Sequence, residues 1–173
     1  FPLLVCAICA AVLCTSWVPA EASSFDYEKV ALTGDDAPGT NAEFDGFHTP
    51  SIGGGNTVGI DGYLKREGSV DTSNDEGIWC GTISNLGLFG REGDPAAGLS
   101  GETYRWFTNP NVDDNGNVGC SMYFNDGTYG VWYGAAGSPA LAVREGDPAP
   151  DTTDNFADVP SSFITCSPSG TLS

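Results

Sequence analysis

Glu92-Gly93-Asp94-Pro95-Ala96-Ala97-Gly98-Leu99 returns as Glu145-Gly146-Asp147-Pro148-Ala149-Pro150-Asp151-Thr152, and Thr33-Gly34-Asp35-Asp36-Ala37-Pro38-Gly39-Thr40 is an earlier, looser version of the same phrase. Self-similarity at a period of tens of residues is the mark of a repeat architecture, and it outranks any local propensity. The marker glycines Gly34, Gly93 and Gly146 lie 59 and 53 residues apart. Working outward, Phe44, Phe47, Pro50 and Ile52 match Tyr104, Phe107, Pro110 and Val112. Val58, Gly59, Tyr63 and Leu64 match Val118, Gly119, Tyr123 and Phe124, and Gly77-Ile78-Trp79 with Gly81 matches Gly130-Val131-Trp132 with Gly134.

The unequal spacing has one source. Gly59 and Gly77 are 18 residues apart, whereas Gly119 and Gly130 are 11 apart; the flanking legs agree to within one residue. The insertion therefore falls in residues 65–76, a polar stretch rich in Gly, Ser and Asp, which is how a surface loop between strands absorbs extra length. Each copy reads as four short strands, in the second copy at residues 107–112, 117–124, 129–133 and 140–144. Asn115-Gly116 and Asp126-Gly127 are dipeptides that hairpin turns favour, because glycine takes positive φ at no steric cost. No window has a helical period, and 24 glycines with 11 prolines would break most helices.

The expected fold class is all-β, built of antiparallel four-stranded repeats stacked as β-propeller-like blades, with a tandem array of small sheets or a β-sandwich as alternatives. The first repeat spans about 34–92, the second about 93–145, and 146–173 begins a third. A single four-stranded sheet cannot bury both faces. Neighbouring copies must cover each other, with Trp79 and Trp132 as the filling.

Ahead of the repeats, residues 1–22 form an apolar run with no charge before Glu21 and with Ala20-Glu21-Ala22 at its end. That pattern reads as a signal peptide cleaved after Ala22, the alternative being a retained anchor. The expected location is secreted or cell-surface, with no membrane contact after cleavage. The run lacks a leading Met and a basic segment, and the chain stops inside a turn, so a fragment of a longer protein is expected. With 23 acidic and 6 basic residues, the formal charge of -17 repels phosphate backbones and anionic lipid, which excludes nucleic acid as a partner. Cys80, Cys120 and Cys166 remain after the leader, an odd set that allows at most one internal disulfide.

Ala142-Val143-Arg144-Glu145-Gly146-Asp147-Pro148-Ala149-Pro150 and Asp113-Asp114-Asn115-Gly116-Asn117-Val118 carry a resemblance. Together with the spaced aromatics and the G-[IV]-W step, they resemble exported tandem-repeat proteins of bacteria described by an NxxGxxxF/Y repeat or as choice-of-anchor proteins. The leading Asn of that motif is Asp113 in the second copy and Gly53 in the first, its Gly is Asn56, and its closing aromatic is Cys120 or Ile60. The resemblance implies a secreted, often surface-anchored β-repeat protein without an established activity.

A residue present in every copy serves the architecture first, whereas a catalytic residue is usually needed once. Arg91, Glu92 and Asp94 recur as Arg144, Glu145 and Asp147, and are read as strand-end and turn clamps. Asn111, Asp113 and Asn115, with Gly116 at the turn, have oxygen ligands at calcium-loop spacing, but Met122 stands where a calcium loop would close on a bidentate Glu. Calcium is the one cofactor this pattern admits, and a β-turn explains it without a metal. Among residues that do not repeat, Arg105-Trp106 offers a stacking surface for a sugar or an aromatic ligand, the alternative being that Trp106 extends the core; Lys65-Arg66 opens the inserted loop, and His48 is a lone loop histidine. No nucleophile elbow, zinc helix motif or phosphate loop is present. The leading reading is a secreted or surface-displayed module with a binding or structural role toward a carbohydrate or a cell-envelope component. The alternatives are a carbohydrate-active hydrolase or lyase using carboxylates such as Asp113 or Asp114, and a calcium-stabilised structural protein.

Overall fold

A computed structural model describes residues 28–48, 50–157, 159 and 166. The apolar leader and half of the expected third copy lie outside these residues. The described chain is all-β, in two antiparallel sheets, neither closed into a barrel. The first contains β1 (Phe44–Phe47), β2 (Ser51–Ile52), β3 (Thr57–Leu64), β4 (Glu76–Thr82) and β5 (Asn85–Arg91). The second contains β6 (Trp106–Phe107), β7 (Asn111–Val112), β8 (Val118–Tyr123), β9 (Tyr129–Ala135) and β10 (Ser138–Arg144). The first runs in the order β1-β3-β4-β5 with β2 also on β3; the second runs β6-β8-β9-β10 with β7 also on β8.

Each sheet thus has five strands rather than the expected four. The stretch 107–112 divides because Pro110 has no N–H to give a ladder. Phe107 stands opposite Met122 and Asn111 opposite Gly119, so two short strands share one long partner.

Alternation along the strands gives each sheet two distinct faces. One face of the first sheet carries Ile60, Leu64 and Trp79, and the other carries Gly59, Asp61, Tyr63, Glu76, Ile78 and Cys80, as the register of β3 against β4 requires. The second sheet packs front to back on the first. Ile78, Cys80 and Phe89 form one buried cluster with Val118, Cys120, Met122, Phe124 and Trp132. Smaller clusters close the two outer faces, one around Trp79, Phe44 and Leu64, the other around Val131, Val159 and Phe156.

The two tryptophans occupy corresponding settings. Both are fully buried. Trp79 Nε1 donates to the Pro38 carbonyl and Trp132 Nε1 to the Ala97 carbonyl, each at 2.9 Å, and both acceptors lie four residues after a marker glycine. Phe44 meets Trp79 edge-on at 4.8 Å, as Tyr104 meets Trp132 at 5.5 Å. The phrase itself is one turn made three times: Gly34, Gly93 and Gly146 have φ of 88, 83 and 86°. Their amides donate to the carbonyls of Phe44, Tyr104 and Phe156 at 2.8, 2.8 and 2.9 Å. A side chain at any of the three would sit in the left-handed region, which explains the glycine.

Candidate functional site

Where the sheets meet, a polar cleft of about 360 Å³ opens, lined by Tyr63, Arg66, Thr72, Asp75, Glu76, Glu92, Arg105, Trp106 and Tyr123. Its walls come from five separate stretches. Tyr63 ends β3 and stands directly opposite Glu76 at the start of β4. Arg66, Thr72 and Asp75 belong to the inserted loop, so the extra length builds one wall. Glu92 follows β5, and Trp106 on β6 pairs with Tyr123 on β8. Trp106 is 56% exposed, although Phe107 beside it is buried.

Behind the cleft lies a polar chain found only in the first sheet. His48 Nδ1 is 2.9 Å from Asp61 Oδ2, and its Nε2 is 3.1 Å from the Tyr63 hydroxyl. The corresponding positions in the second sheet are Thr108 and Ser121, whose hydroxyls meet at 2.9 Å. A neutral hydroxyl pair has been replaced by an ionisable one. His48, read from sequence as a lone loop histidine, is thus a partner of a buried carboxylate. Asp61 is 1% exposed and its Oδ1 is buried without a hydrogen-bond partner.

Crowded, desolvated carboxylates resist ionisation. Burial, then the charge of Asp61, pushes the Glu76 carboxyl up to about 8. Burial, then Asp75, pushes Glu92 up to about 7. Burial raises Asp61 against the opposing pull of His48, and burial with Glu76 raises Tyr63. A carboxyl that is raised on folding keeps a proton the unfolded chain has lost. The Glu76 contribution is therefore full below its ordinary value of 4.5 and disappears as pH climbs to about 8. The melting temperature is expected to fall by a few degrees across that window, and Glu76→Gln to flatten the fall. A parent profile no steeper than that of the variant would contradict this origin.

Asn111 lies on β7, and Asp113 and Asn115 belong to the turn that follows it. Asp113 Oδ1 accepts from the amides of Asn115 and Asn117 at 2.8 and 2.9 Å. Its Oδ2 accepts from Asn117 Nδ2 at 2.9 Å and from the Tyr133 hydroxyl at 2.6 Å. Burial alone would raise this carboxyl, but the Tyr133 and Asn117 donors outweigh it and hold it below the ordinary range. The turn also joins the sheets: Thr57 Oγ1 donates to the Asp113 carbonyl at 2.8 Å, and the Gly54 amide to Asp114 Oδ1. Among the described residues no three His, Cys, Asp or Glu side chains are grouped to hold a metal ion.

The recurring charges behave differently at the two junctions. Glu145 accepts from the amides of Tyr129 and Val159, both at 3.0 Å, and Arg144 reaches Asp126 at 2.8 Å and lies over the Phe124 ring. At the earlier junction Glu76, not Glu92, accepts from the Phe107 amide, at 3.3 Å, which leaves Glu92 to the cleft. Arg91 Nε donates to the Asn74 carbonyl at 2.6 Å. Asp94 and Asp147 sit in the phrase turns, their carbonyls accepting from Tyr104 and Phe156. Cys80, Cys120 and Cys166 are free thiols, the first two buried in the seam.

Sequence reading placed Arg105 and Trp106 together, and the structure sets both in the cleft. It did not find Asp61, Tyr63 or Tyr123 as site residues, and it placed Asp75 and Glu76 only within the inserted polar loop, as a stretch able to hold a cation or simply solvated. The usable signal was departure from the internal match: Asp61 against Ser121, and Glu76 against Tyr129.

Compared with known proteins, residues 15–126 match the model of a family of unknown function (DUF7453). No curated protein and no solved structure matches the chain.

Proposed function

The chain belongs to that family of unknown function, from which no activity follows, and we propose that it is a secreted or cell-surface β-repeat module that binds a carbohydrate or another cell-envelope component in the seam cleft. The observation that carries this reading is Trp106, a large aromatic held more than half exposed on a sheet edge, beside two tyrosines, two arginines and three carboxyl groups. A ring face of that kind stacks on the C–H face of a sugar, and the surrounding donors and acceptors suit its hydroxyls. Export rests on the composition of residues 1–22.

In this reading the sheets are successive blade-like repeats. Support comes from matched positions with unlike exposure: Val112 is 7% exposed beneath the first sheet, whereas Ile52, its counterpart, is 77% exposed. Ile52 borders an apolar groove of about 250 Å³ with Phe47, Pro50, Val58 and Ile60, the face a further stacked sheet would cover.

The test is binding to a glycan array followed by calorimetry on the hits. Trp106→Ala is expected to weaken binding about tenfold or more while leaving the melting temperature unchanged, as expected for an exposed stacking residue. A chain that binds no glycan, or a variant that binds as tightly as the parent, would remove this reading.

A further inference from the structure

Asp61 and Glu76 are buried carboxyl groups placed where the matched sheet has the neutral Ser121 and Tyr129. Burying a carboxylate without full compensation is costly. Asp61 uses Oδ2 on His48 and leaves Oδ1 buried without a partner, while Glu76 receives one long hydrogen bond, from the Phe107 amide at 3.3 Å. Both lie on the same face of the first sheet, diagonal to each other across β3 and β4, and that face looks into the seam. Asp75 and Glu92 complete the acidic set at the cleft wall. Arg66 is paired with Asp75, and the charge of Arg105 bears on Glu92, so the arginines answer those two acids. Asp61 has His48, a cation when protonated, and no Lys or Arg among the described residues is paired with Glu76.

We propose that the cleft takes a primary ammonium group, and that its ligand is an amine-bearing glycan such as a polymer of amino sugars; this rests on the carbohydrate reading above. A metal ion needs several converging ligands, and no three acidic, His or Cys side chains are so grouped among the described residues. An ammonium needs only acceptors on one side, for three N–H donors, while the sugar ring that bears it lies on Trp106. The net charge of -17 steers a polycation toward the chain.

Binding of this kind is coupled to protons. The titratable and charged groups facing the ammonium are Tyr63 of β3; Asp75 and Glu76 at β4; Arg66 of the inserted loop; Glu92 beyond β5; Arg105 before β6; and Tyr123 of β8, while Asp61 with His48 lies behind Tyr63, outside the lining of the cleft. Burial and mutual repulsion leave Glu76, raised to about 8, and Glu92, raised to about 7, partly protonated near neutrality. The ammonium displaces those protons, so affinity rises with pH through this range for as long as the amine stays charged.

The experiment is calorimetry of the full chain against oligomers of glucosamine and of N-acetylglucosamine, at pH 5.5 and 6.0, where the sugar amine stays charged and takes up no proton on binding, in two buffers of different ionisation enthalpy. The free-amine oligomer is expected to bind about tenfold tighter than the acetylated one, with release of protons, and Glu76→Gln to abolish the preference but not the binding. Glu92→Gln carries the same comparison, with a partial loss, if Glu76→Gln fails to fold. Equal binding of both oligomers, or binding without proton release, overturns the ammonium assignment and leaves the carbohydrate reading intact. Binding of neither oligomer overturns the ammonium assignment, and the glycan array then decides the carbohydrate reading.

Discussion

Trp132→Ala is expected to lower the unfolding free energy by about 3–5 kcal/mol, the range for truncating a buried aromatic residue whose cavity cannot collapse. The side chain is fully buried at the centre of the cluster shared by both sheets. Tyr104 at 5.5 Å and Phe124 at 5.3 Å lean on its ring from different directions. The backbone on either side is held by the ladders of β9, so neither strand can move in to fill the gap. Removing the indole also leaves the Ala97 carbonyl without its 2.9 Å donor. That adds the penalty of a buried unsatisfied acceptor. Trp132→Phe retains most of the packing and is expected to lose roughly half as much. Urea titration followed by circular dichroism measures both. A loss below about 1 kcal/mol for the alanine variant would mean that the seam is not a packed core.

The second large effect is predicted for a backbone position. Gly134 has φ of 150°, and a Cβ there would lie 2.4 Å from the Ser138 carbonyl oxygen. Gly81, its counterpart in the first sheet, has φ of 143°, with the Asn85 carbonyl oxygen 2.2 Å from the same point. Both contacts are with backbone, which has no rotamer to yield. Gly134→Ala is therefore expected to cost about 3 kcal/mol or more, combining an unfavourable φ with a clash that must open the β9–β10 hairpin. Gly137→Ala is the control. It has φ of 73° but open space around it, so only the left-handed penalty of about 1 kcal/mol applies. Equal losses for the two variants would show that conformation alone, not the close approach of the hairpin, sets the requirement.

Much of the fold was legible because the constraint was repeated. A glycine in the left-handed region at three phrase turns, a tryptophan following Gly-Ile or Gly-Val, and a loop that absorbs all the length difference are features each copy states independently. The strand count was not legible, because Phe107 and Val112 bound a stretch short enough to read as one strand, while Pro110 removes a ladder donor in between. The cleft was mostly hidden for a different reason. Its residues are drawn from separate stretches and meet only when one sheet packs on the next. His48 and Asp61 are 13 positions apart and make sense only as the counterpart of Thr108 and Ser121. The calcium-like spacing of Asn111, Asp113 and Asn115 illustrates the converse. Sequence could not separate ligand spacing from turn spacing, and the structure directs the Asp113 oxygens to amides, the Asn117 side chain and a tyrosine.

The front-to-back packing of the two sheets underlies both the stability and the cleft, and a double-mutant cycle between Ile78 and Phe107 tests it most directly. Ile78 comes from β4 of one sheet and Phe107 from β6 of the other, and both are buried in the shared cluster. Ile78→Ala and Phe107→Ala are expected to couple by about 1 kcal/mol or more, because each variant opens the same cavity. Losses that add within about 0.5 kcal/mol would contradict a common core and leave two sheets that merely sit side by side.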